Sequence, residues 1–126
     1  MSGRRKVGIL ISGRGSNMQA LIKAAQDPIY PADITVVISN RPNAPGLDFA
    51  KAQGIATEIV DHKSHASREA FDQALDAALQ RYDVELVACA GFMRIMTQDF
   101  VDQWRDRMIN IHCDPGLTDH RRLDAL

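Results

Sequence analysis

Asn110 and His112 stand two residues apart at the end of an apolar stretch, in "INIHCDPGL" (Ile109 to Leu117), just before the chain breaks into turn-forming residues. A His at a strand end beside an Asn can divide the work of acyl transfer. The imidazole serves as general acid or electrostatic donor while the carboxamide holds a carbonyl oxygen. The same pair also occurs as the polar fringe of a core strand, so its meaning depends on what the fold brings beside it.

A second segment with chemical potential is "SGRGSN", Ser12 to Asn17. Gly13 and Gly15 permit close backbone approach, Ser16 and Asn17 add a hydroxyl and an amide, and a helix starting here would point free N–H groups and a positive dipole end at an anion. This reads as a phosphate cradle, although a strand-Gly-turn-helix can also be only a tight connection. It is neither a GxxxxGK[ST] loop nor a GxGxxG fingerprint, whose third glycine would fall at Met18. The third segment, "GFMRIM", places Phe92, Met93, Ile95 and Met96 in a loop, either as packing under the sheet or as an apolar slot for a flat heterocycle. Arg94 within it, taken alone, reads as a solvated charge or a structural ion pair. His62 and His65 share a polar loop with Lys63 and are expected to be solvated. Cys89 and Cys113 form neither a CxxC pair nor a zinc spacing, so reduced thiols and no metal site are expected.

The elements that must position these segments follow from hydrophobic patterning. "VGILIS" (Val7 to Ser12), "ITVVIS" (Ile34 to Ser39), "ATEIV" (Ala56 to Val60), "VELVACA" (Val84 to Ala90) and "RMINIH" (Arg107 to His112) read as strands. Between them "MQALIKAAQ", "GLDFAKAQG", "REAFDQALDAALQRY" and "QDFVDQWRD" read as helices, with Ser67 and Thr97 placed to cap the last two. Regular alternation of this kind predicts an α/β, doubly wound, Rossmann-like and mostly parallel sheet. The strand order expected is 3-2-1-4-5, with the less apolar third strand at or near an edge. Continuous apolarity makes the first strand central. The winding then reverses between strands one and four, where ligands bind in such sheets, and the three segments converge there. The tail from Cys113 is polar with a weak helical end.

The 126 residues suit one domain with its own core. A net charge of -1 offers no electrostatic case for nucleic acid or an anionic membrane surface. "VGILIS" is too short for a signal-peptide core, and no apolar stretch approaches the roughly 20 residues that span a bilayer. A cytoplasmic protein is expected.

Taken together and in order, "LISGRGSNMQALI", "SREAFDQAL", "AGFMRIM" and "INIH" closely resemble the phosphoribosylglycinamide formyltransferase family, over about residues 6 to 112. The resemblance implies transfer of a formyl group from 10-formyltetrahydrofolate, as co-substrate, to the amine of glycinamide ribonucleotide in purine biosynthesis, without a metal. It implies that Gly13, Gly15, Ser16 and Asn17 hold the ribonucleotide phosphate. Arg68, Met93, Arg94, Ile95, Met96 and Asn110 would then contact the folate, and Asn110 and His112 would form the catalytic pair. A second copy of this chain is a candidate partner.

After "NIH" the sequence departs from the family pattern: Cys113-Asp114-Pro115-Gly116-Leu117 stands where the family continues Pro-Ser-Leu-Leu-Pro. The family's later Asp, which pairs with the catalytic His, has no match, and the chain is expected to lack the C-terminal part of the family domain. Residues 113–126 are a divergent tail in this reading. One alternative stays open, an inactive fragment that still binds a phosphate ligand. Three others fit less well. Methionyl-tRNA formyltransferase relatives would lack the GxGSN form of the first loop and show a more basic surface. A formyltetrahydrofolate hydrolase would carry an extra domain before the Gly loop. An NAD-dependent dehydrogenase would need an acidic residue where Ser39-Asn40-Arg41 stands.

Overall fold

The computed structural model describes residues 5–93, 96–111 and 123–125. Its elements run β1 (Arg5–Ile11), α1 (Ser16–Ala25), β2 (Ala32–Ser39), α2 (Pro45–Ala52), β3 (Ala56–Ile59), a 3-10 turn at His62–Ser64, α3 (Arg68–Arg81), β4 (Leu86–Ala90), α4 (Gln98–Gln103), β5 (Met108–Ile111) and β6 (Leu123–Ala125). The sheet order is β3-β2-β1-β4-β5-β6. The first five strands pair in parallel, in the order expected, with β3 at one edge.

The tail departs from expectation. Leu123–Ala125 is a strand that pairs antiparallel with Ile109–Ile111, not the end of a helix. So short a segment cannot offset the cost of nucleating a helix, whereas the outer edge of β5 offers backbone groups ready to pair.

The winding is double because the connections place helices on both faces. On one face Ile9, Ile11, Val37 and Ala88 pack against Met18 and Ile22 of α1 and Leu47 of α2. On the other, Leu10, Val36, Val87 and Met108 meet Phe71 and Leu75 of α3 and Phe100 of α4. Alternating side chains of β1 feed both cores, which is why the strand carries no polar side chain from Val7 to Ile11.

The two predicted helix caps are formed. Ser67 Oγ accepts the Ala70 amide at 3.0 Å and Thr97 Oγ1 accepts the Phe100 amide at 3.2 Å. Helix α4 is shorter than its pattern suggested, because Asp106 adopts φ 65° and turns the chain into β5. Trp104, just past α4, is fully buried and donates its indole N–H to Asp76 Oδ1 at 2.9 Å, fastening α4 to α3.

Candidate active site

The site is assembled at the carboxyl ends of β1, β4 and β5. β1 runs into the Gly loop, where Gly15 lies at φ 66°, ψ 49°, immediately before Ser16 opens α1. A Cβ at Gly15 would lie 3.2 Å from Met18 Cε and 3.3 Å from Ile11 Cγ2 in a backbone region L-residues avoid, so glycine is required here. Helix α1 has no side-chain cap among the described residues and no acidic residue in its first turn. Its positive end therefore faces the loop mouth with no acidic side chain in its own first turn to offset it, which favours an anion. Ser16 is exposed, and Gly13, Gly15 and Asn17 are half-buried, so the loop is open to a ligand.

The loop leans on a residue that patterning did not single out. The Gly46 amide, at the start of α2, donates to the Gly13 carbonyl at 3.1 Å. A Cβ on Gly46 would come within 2.6 Å of Ile11 Cδ1 and 2.8 Å of the Arg14 carbonyl oxygen. The only sequence signal was a glycine in the first turn of a helix, where it is otherwise unfavourable.

Ser12, the last residue before the loop, is 3% exposed and is the junction of three strand ends. Its hydroxyl donates to Asn40 Oδ1 at 2.6 Å and accepts the Met93 amide at 2.7 Å. Asn40 lies 3.3 Å through its Nδ2 from His62 Nδ1, which is also 3.1 Å from the Asn40 carbonyl oxygen. The two loop histidines are thus not simply solvated. His62 is half-buried in this network, and His65 Nδ1 lies 3.0 Å from the Asp61 carbonyl oxygen while its ring meets Phe71 edge-on. Both contacts need the third dimension: Asn40 and His62 are 22 residues apart.

The β4–α4 connection carries Phe92, Met93 and Met96. Phe92 and Met96 pack on the α3-side core, as the packing reading expects, while Met93 is 72% exposed. Arg94 and Ile95 lie outside the described residues. Asn110 pairs with Cys89 of β4 in the parallel ladder and is half-buried. Strand alternation puts it on the same face as Met108, which is the face that Phe92 and Met96 cover. Its partner His112 lies outside the described residues.

Arg68 is the exposed first residue of α3. One turn further on stands Asp72, a carboxylate only 4% exposed that patterning did not flag, because it sits inside the apolar face of that helix. Its Oδ2 accepts the Thr97 amide at 2.7 Å. A cavity of about 500 Å³ opens beside the Gly loop, lined by Ser12 and Gly13 together with Arg41, Asp61, His62 and Lys63.

Among the described residues no group of three or more His, Cys, Asp or Glu could hold a metal, and no helix is long and apolar enough to cross a membrane. Burial pushes the Cys89 thiol up to about 12, so at neutral pH it is a packed, protonated side chain and not a nucleophile. The arrangement offers a loop suited to an anion, an apolar surface beside it and a carboxamide at the next strand end. That set suits binding and orientation of two ligands for direct group transfer.

Comparison with known proteins agrees. Residues 5–116 match the formyl transferase family. Human trifunctional purine biosynthetic protein adenosine-3 is 44% identical over 109 residues, covering 86% of this chain and 11% of that protein. Phosphoribosylglycinamide formyltransferase of Escherichia coli (strain K12) is 40% identical over 119 residues, covering 90% of this chain and 56% of that one. Among solved structures, the phosphoribosylglycinamide formyltransferase of Brucella melitensis superposes with a TM-score of 0.85 at 42% identity, over 94% of this chain and 60% of that one. The Coxiella burnetii enzyme, solved in complex with CHES, gives 0.83 at 41% identity, over 86% and 51%. The chain therefore spans about half the length of the bacterial relatives it matches. By sequence and by fold, the chain belongs to the formyl transferase family.

Proposed function

We propose that this site takes part in formyl transfer from 10-formyltetrahydrofolate to the primary amine of glycinamide ribonucleotide. The observation that carries the reading is the Ser12–Met93 hydrogen bond, which sets the anion-ready Gly loop directly beside the apolar β4 loop. Gly13, Gly15, Ser16 and Asn17 hold the ribonucleotide phosphate at the start of α1. Arg68, Met93, Arg94, Ile95 and Met96 receive the folate, its flat pterin against the apolar part of the β4 loop.

In this reaction the substrate amine attacks the formyl carbon and a tetrahedral intermediate forms. The Asn110 carboxamide and a protonated His112 stabilise its oxyanion. The attacking nitrogen gives up a proton, the bond from carbon to the folate nitrogen breaks as that nitrogen takes up a proton, and the formyl group remains on the ribonucleotide amine. Holding both ligands in place supplies the rate advantage that covalent catalysis supplies elsewhere.

The direct test is formyl transfer between these two compounds, on material whose intact mass has been verified. Turnover that depends on both supports the reading. Phosphate-ligand binding without turnover would replace it with a binding-only role, and binding of neither ligand would remove it.

A further inference from the structure

The connection between β4 and α4 is held at both ends by side chains from elsewhere in the fold. At its start the Met93 amide donates to Ser12 Oγ at 2.7 Å, across 81 residues of sequence. At its end the Thr97 amide, next to Met96, donates to Asp72 Oδ2 at 2.7 Å, across 25 residues. Both acceptors are buried, Ser12 at 3% and Asp72 at 4% exposure. Hydrogen bonds of this length, away from competing water, fix a backbone strongly.

Asp72 is the more informative of the two. Its second carboxylate oxygen, Oδ1, is buried with no hydrogen-bond partner among the described residues. Burying a carboxylate costs stability, so packing alone does not account for an aspartate on the apolar face of α3. The bond to Thr97 does. Thr97 also caps α4 through its hydroxyl, so this one residue joins the β4 loop, α3 and α4. Asp72 lies four residues after Arg68 on the same helix, so the strap that fixes the loop also sets it relative to Arg68. Ser12, in turn, stands next to Gly13 and donates to Asn40, so the β4 loop and the Gly loop are tied to the same side chain.

From this we infer that Ser12 and Asp72 are positioning residues: through the amides of Met93 and Thr97 they hold Met93 and Met96, the described residues of this connection proposed to contact the folate. The inference rests on the proposal above that this segment takes the folate. Neither residue need touch a ligand; each acts through a backbone amide of the loop.

The test uses the full chain and the variants Asp72→Ala, Asp72→Asn and Ser12→Ala, with two readouts. Amide hydrogen exchange at Met93 and Thr97 reports the straps themselves. Exchange is expected to quicken on the order of tenfold at Thr97 in Asp72→Ala and at Met93 in Ser12→Ala, with unchanged rates in the centre of the sheet. Equilibrium binding reports their use: in Asp72→Ala the Kd for 10-formyltetrahydrofolate should rise roughly tenfold while that for glycinamide ribonucleotide stays within about twofold. Asp72→Asn keeps an acceptor for the Thr97 amide and should recover folate affinity to within about threefold of the parent.

Unchanged exchange in both alanine variants, or equal loss on both ligands in Asp72→Ala, or failure of the Asn variant to recover affinity, overturns the inference. A parent chain with slow exchange that binds no folate sinks the folate assignment, and this inference with it. Normal parent binding that the variants leave untouched sinks the straps alone. If Asp72→Ala does not fold, Ser12→Ala decides by the same folate and exchange readouts.

Discussion

Gly46 at the start of α2 and Gly13 in the β1–α1 loop are in backbone contact, the amide of the first donating to the carbonyl of the second at 3.1 Å. There is no room for a side chain between them: a Cβ on Gly46 would lie 2.6 Å from Ile11 Cδ1 and 2.8 Å from the Arg14 carbonyl oxygen. A neighbouring helix thus sets how far the anion cradle can sag. Gly46→Ala should push the Gly loop outward, lower stability by about 1–3 kcal/mol and weaken binding of a phosphate ligand. Urea unfolding and phosphate-ligand titration check this. Parent-like values for both would show that the loop does not depend on this contact.

Ser16 and Asn17 begin α1, which no side chain caps among the described residues and which has no acidic residue in its first turn. If they hold the ribonucleotide phosphate, Asn17→Ala or Ser16→Ala should weaken glycinamide ribonucleotide by roughly tenfold, a typical loss for a hydrogen bond to a charged group. Folate affinity should barely change. Calorimetry on each ligand separately decides, and equal loss on both would remove the assigned division.

Asn110 occupies the β5 position beside Cys89 and is the described member of the proposed catalytic pair. In an enzyme with measurable turnover, Asn110→Ala and His112→Ala should each lower kcat by about 10²–10³, as loss of an oxyanion donor or general acid does, with smaller effects on KM. Turnover at the parent rate in either variant rejects that residue's role.

Burial raises the Cys89 thiol to about 12. Exposed in the unfolded chain it would titrate near roughly 8.5. The folded state therefore holds its proton more tightly than the unfolded one. The contribution is fully present below about pH 8.5 and is lost progressively as pH rises toward about 12. Cys89→Val should flatten the alkaline part of a stability-pH profile. In the native parent at pH 8, a thiol reagent should leave Cys89 unmodified, and rapid modification would contradict its burial.

Much of this protein was legible in its residues. Uninterrupted apolarity from Val7 to Ile11 marked a strand buried on both faces, and the weaker Ala56 to Val60 marked one near an edge; the sheet order agrees with both. Ser67 and Thr97 stood where caps belong and make those hydrogen bonds. The Gly loop was recognisable because a tight turn before a helix needs particular residues at particular places. Such signals are local: period, capping and turn chemistry act over a few neighbours, so a linear pattern contains them.

What only the tertiary structure decided acts over long separations. No periodicity reveals that Ser12 meets Met93 across 81 residues, that Asp72 receives the Thr97 amide, or that Gly46 abuts Gly13. The strand formed by Leu123–Ala125 belongs with these, since its partner at Ile109–Ile111, and not its own propensity, determines it. Each depends on where the winding of the sheet sets two segments side by side. Hydrogen-bond satisfaction and steric exclusion then select the residue, and those act in space and not along the chain.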